Sequence, residues 1–84
     1  MTVTAADLAA EALFVSDLQP SQQPTRDEVA AAVSATVARL GSSGCAGSFA
    51  HEFGDHPETA LRRMAWVREI LQGIPAAALP RPRD

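Results

Sequence analysis

The chain contains no lysine, and all 7 of its strong bases are arginines. That absence removes the phosphate-contacting side chain of a P-loop, so the glycine and serine of "GSSGCAGS" (41–48) read as a helix connection rather than a phosphate cradle. There is a single cysteine, Cys45. An internal disulfide is therefore impossible, and the paired CxxC spacing of structural zinc sites is missing. Positive charge is scarce as well. The net charge is −3 and the isoelectric point about 5.2, and residues 1–41 carry Asp7, Glu11, Asp17, Asp27 and Glu28 against only Arg26 and Arg39. A nucleic-acid binder ordinarily shows a basic stripe, which this chain lacks. Long apolar runs are also missing. The N-terminal stretch "MTVTAADLAAEALFVSDL" has no basic leader and is interrupted by acids, which argues against a signal peptide or a membrane span and leads to the expectation of a cytoplasmic protein.

What is present is alanine, the commonest residue, and apolar side chains spaced for helices. The alanine and arginine bias is that of a GC-rich genome. With 84 residues the chain buries only about 60% of its unfolded surface, enough for one small core. Thr4 and Asp7 form a capping box for a helix over about 5–17, with Leu8, Ala12 and Val15 on one side and Ala5, Leu13 and Phe14 flanking. "QPSQQP" (19–24) breaks the pattern. Thr25 and Glu28 then box a second helix over about 26–40, striped by Val29, Val33, Val37 and Leu40 and stopped at Gly41. After "GSSG", Ser42 or Ser43 caps a third helix of about ten residues that aligns Cys45, Phe49 and Phe53 and stops at Gly54. Asp55 is then expected to cap a fourth, with Pro57 in its first turn and Glu58 closing the box, until Gly73 and Pro75 end it.

The segment "FAHEFGDHPETALRRM" (49–64) resembles the helix-turn-helix of sigma-factor region four and of response-regulator output domains. The likeness rests on Ala50 four residues before Gly54, then Pro57, Glu58 and Thr59 opening the second helix, with Ala60 at the buried position that follows. It departs from the motif at Asp55, where a buried aliphatic residue normally follows the glycine. The resemblance implies that the groove-facing positions are His56, Glu58, Leu61, Arg62 and Ala65, with His56, Thr59 and Arg62 as the possible nucleic-acid contacts. The whole chain is also similar to short actinobacterial proteins, a likeness that implies no particular activity.

On a helical wheel the fourth expected helix sets Ala60, Met64, Val67 and Leu71 on a core stripe, with Leu61 and Ile70 on its shoulders. Trp66 falls at the margin, one turn after Arg62 and Arg63. Tryptophan and arginine together are the composition of a protein-interface hot spot. The same residues also suit an internal cation–π pair in which Arg62 covers the ring. Arg63 lies within the apolar arc and must snorkel or pair, with Asp7, Glu11 and Asp17 as candidates.

Cys45 near a helix start, followed by His51, Asp55 and His56, admits a thiolate–imidazole pair, and Cys45, His51 and His56 admit a metal. Against both stand the shared face of Cys45 with Phe49 and Phe53, and ligand spacings that match no familiar pattern. The sequence thus leads to an all-α, compact four-helix domain over residues 1–74 with a flexible Pro/Arg tail at 75–84. A helix-turn-helix-like pair is formed by its third and fourth helices. The function expected is that of a small regulatory or adaptor module, not an enzyme, without cofactor or metal. It binds a protein partner or itself through Arg62, Arg63, Trp66 and Ile70, the alternative being a DNA-binding transcriptional regulator. No membrane association and no small-molecule substrate are expected.

Overall fold

Two threonine capping boxes set where the first two helices begin. The Asp7 backbone N–H donates to Thr4 Oγ1 at 3.0 Å, and the Glu28 N–H donates to Thr25 Oγ1 at 3.1 Å while Glu28 Oε1 accepts from the Thr25 N–H at 2.9 Å. Hydrogen bonding to the Thr25 backbone, and after it to the Thr25 side chain, lowers the pKa of the Glu28 carboxyl below its ordinary value. In the computed structural model, which describes residues 4–80, the helices are α1 (Ala5–Val15), α2 (Arg26–Asp55) and α3 (Pro57–Leu71). Single 3-10 turns occupy Pro20–Gln22 and Ala76–Ala78, and there is no strand among the described residues.

Four helices are expected from the sequence; three are found, because the second and third merge into α2. The break expected at Gly41 is present but only one residue long. Gly41 has φ 71° and ψ 173°, a region essentially reserved for glycine. No proline follows, so the chain resumes helical dihedrals at once and α2 consists of two arms, 26–40 and 42–55. Gly44 lets them approach: a Cβ there would stand 2.9 Å from Leu40 Cβ. Gly47, by contrast, has open space where its Cβ would lie. Gly41→Ala is therefore expected to cost about 1–3 kcal/mol, while Gly47→Ala stabilises by about 0.5–1 kcal/mol. Urea unfolding of the two variants checks this, and equal effects of the same sign would contradict the break.

The junction of α2 with α3 differs from expectation. Gly54 and Asp55 both remain helical, and a single residue, His56 (φ −137°, ψ 65°), separates the helices without a side-chain cap. Pro57 is the cause: its ring disfavours helical dihedrals at the residue before it, and its missing N–H is harmless at the first position of α3. Asp55 pairs instead with His51 on its own helix, at 3.1 Å.

α1 packs against both other helices. Leu8, Ala9, Ala12 and Leu13 have no exposed surface, and Val29, Val33, Cys45 and Val67 close around them. Thr36 is buried within the same face and donates its hydroxyl to the Ala32 carbonyl at 2.7 Å. Residues 75–80, expected within a free tail, turn back so that Leu79 joins Ile74 in the core. The reason is apolar: two large aliphatics flank the turn and bury together. The rest of that expected tail, 81–84, lies outside the described residues. The Cα radius of gyration, 11.8 Å, matches the roughly 12 Å of one compact domain of this length.

Candidate functional site

At the end of α1 the Leu13 carbonyl accepts from the Ser16 N–H at 3.2 Å and from the Ser16 hydroxyl at 2.7 Å, but the carbonyls that follow have no donor within the helix, whose last turn carries no basic side chain. Those carbonyls form the negative end of the helix dipole and need donors. Arg63, from α3, supplies them. Its Nε donates to the Phe14 carbonyl at 2.6 Å, and its Nη2 donates to the carbonyls of Ser16 at 3.0 Å, Leu18 at 2.9 Å and Leu13 at 3.3 Å. The guanidinium also lies over two rings, with Cζ 5.8 Å from the Phe14 centroid and 5.3 Å from that of Trp66. Burial lowers its pKa from the ordinary arginine value. The carboxylates of Asp7, Glu11 and Asp17 are not its partners; backbone oxygens are.

This clamp fixes how α3 is rotated about its axis. Ala60, Met64 and Val67 turn inward, and Trp66 and Ile70 are half-buried against the core. Glu58, Leu61, Arg62, Ala65, Arg68 and Glu69 are exposed. Leu61, assigned by periodicity to a shoulder of the core, is 63% exposed, the one large hydrophobic so exposed among the described residues. It stands at the mouth of a groove of about 470 Å³ between the second arm of α2 and α3, whose apolar wall is Phe49, Phe53, Met64 and Ala65 and whose rim carries Arg68 and Glu69.

The wall is held from beneath by an aromatic cluster. Phe14 meets Phe49 edge-on at 5.0 Å between centroids and stacks on Phe53 at 5.9 Å, and Phe49 and Phe53 are 4.9 Å apart. Since Phe14 also carries the carbonyl and ring that bind Arg63, one residue joins clamp and groove.

Among the residues singled out from the sequence, Arg62 is exposed and Arg63 is committed to α1; the cation above Trp66 is Arg63, not Arg62. His56, Thr59 and Arg62 are all exposed near the start of α3. The sequence pattern alone does not mark the groove wall as a surface. The available signal was the i+4 pair Phe49 and Phe53, too large and too numerous to vanish under one short helix.

Cys45 has no exposed surface, and burial, followed by the charge of Glu11, pushes its thiol up, opposed in part by Arg39. The His51 imidazole is 75% exposed and faces Asp55, so cysteine and histidine do not share a site. Among the described residues no three His, Cys, Asp or Glu side chains gather to hold a metal, no buried side-chain nitrogen or oxygen lacks a hydrogen-bond partner, and no helix is long and apolar enough to cross a membrane. No family model, curated protein or solved structure matches the chain.

Proposed function

We propose that the protein is a small non-catalytic module that binds a protein partner through the outer face of α3 and the adjoining groove. The observation that carries this is Leu61, exposed beside an aromatic-walled groove. A large aliphatic left in water next to Phe49 and Phe53 gains by being covered, and an apolar centre rimmed by Arg62, Arg68 and Glu69 has the anatomy of a protein interface. Trp66 and Ile70 border this face on the other side of the helix, where the Arg63 clamp holds the indole in place.

The nucleic-acid alternative draws on the helix-turn-helix resemblance and on the exposure of His56, Thr59 and Arg62. It draws less support than the protein-partner reading. A helix-turn-helix joins its helices by a turn of three or four residues, whereas His56 alone separates α2 from α3, and Glu52, Asp55 and Glu58 crowd the same end. Titrating mixed-sequence duplex DNA at low salt while following Trp66 fluorescence separates the two. No change is the expected result, and a change that added salt abolishes would overturn the protein-partner reading, because phosphate binding falls steeply through counterion release.

A further inference from the structure

The occupant of this face follows from its own pattern of charge and shape. With ~100° per residue, Ala65 lies near the centre of the exposed side of α3, the backbone positions of Arg62 and Glu69 flank it on one side, and those of Leu61 and Arg68 flank it on the groove side, whose rim the Glu69 side chain also reaches. Arg62 and Glu69 are both exposed, and neither forms an ion pair within the chain among the described residues. They are seven residues apart, two turns of one stripe, and of opposite sign. Such a stripe is self-complementary when reversed. A two-fold axis near Ala65 turns the helix end over end and keeps each flank on its own side, so Arg62 of one copy falls beside Glu69 of the other, twice by symmetry. On the other flank, Leu61 of each copy meets the Arg68 end of the facing groove. Ala65, with only a methyl group, lets the helix axes come close at the centre.

We propose that the occupant is a second copy of this chain, in a two-fold dimer whose α3 helices run antiparallel past each other. Leu61 of each copy enters the groove of the other, and Arg62 pairs with the facing Glu69. The inference deepens the proposed function and rests on it: α3 is the binding face, and the partner of stated chemistry is the same face reversed. A like-signed stripe would repel itself in this arrangement; an alternating one orients it.

Sedimentation equilibrium of the full chain from about 1 µM to about 1 mM tests it, with thermal melts of each variant confirming the fold. The wild-type mass should rise towards that of a dimer. Arg62→Glu should weaken association at least ~tenfold by setting Glu against the facing Glu69, and Glu69→Arg should do the same. The double variant Arg62→Glu/Glu69→Arg should return to within about threefold of wild type, since the reversed pair is restored. Leu61→Glu should leave a monomer. A monomeric wild type throughout the range would overturn the dimer while leaving α3 open to a different protein. Self-association that the double variant fails to rescue would overturn the antiparallel arrangement. Both outcomes are distinct from failure of the protein-partner reading, which is marked by salt-sensitive DNA binding.

Discussion

Arg63→Ala is expected to destabilise the domain by about 2–4 kcal/mol. Hydrogen bonds from a charged donor are worth about 1.5–3 kcal/mol each, and those of a single guanidinium are not additive. The loss is concentrated at the end of α1, where the carbonyls of Leu13, Phe14, Ser16 and Leu18 all accept from this one side chain. Arg63→Lys should recover only part of it: an ammonium is a compact charge that does not span four separated carbonyls. The neighbouring Arg62, exposed, is the control, and in solutions dilute enough that association does not contribute, Arg62→Ala should stay within about 0.5 kcal/mol of wild type. Urea unfolding of the three variants decides the matter. Equal, small effects at 62 and 63 would mean that the clamp is not what seats α3.

Phe14→Ala is the second large effect, about 3–5 kcal/mol for a buried aromatic. Phe14 is 3% exposed and supports both Phe49 and Phe53. Phe14→Leu keeps most of the buried area but loses the ring geometry, and should cost about 1–2 kcal/mol. Because Phe14 touches Arg63 through both its ring and its carbonyl, the Phe14→Leu and Arg63→Ala changes should be coupled, which a double-mutant cycle measures. Half-buried Phe53 should cost less to truncate. If Phe53→Ala equalled Phe14→Ala, the cluster would not be organised around α1.

The beginnings of α1 and α2 were legible because a capping box is local: Thr4 with Asp7 and Thr25 with Glu28 each act over three residues. Gly41 was legible for a similar reason, since only the backbone at that residue is at issue. The end of α2 was not. Gly54 and Asp55 carry stop and cap signals, but the restriction that Pro57 places on His56 is steric and outweighs a propensity, so the helix runs on to the last residue before His56. The partners of Arg63 were hidden for another reason. Charge logic directs attention to Asp7, Glu11 and Asp17, whereas backbone carbonyls carry no mark in the sequence, and these lie 45 to 50 residues away. Leu61 was misassigned because periodicity gives an angle on the helix and not the extent of the neighbour that covers it. Met64 is covered, while Leu61, one turn earlier, is left in water.

On the proposed reading, the outer face of α3 meets another protein. A photoreactive phenylalanine analogue in place of Leu61, with the same analogue in place of exposed Ala31 on α2 as control, tests it in cells under ultraviolet light. A protein adduct is expected from position 61 and none from position 31, at twice the chain mass if the partner is a second copy. Equal labelling from the two positions, or adducts at 61 with nucleic acid alone, would mean that this face does not bind protein.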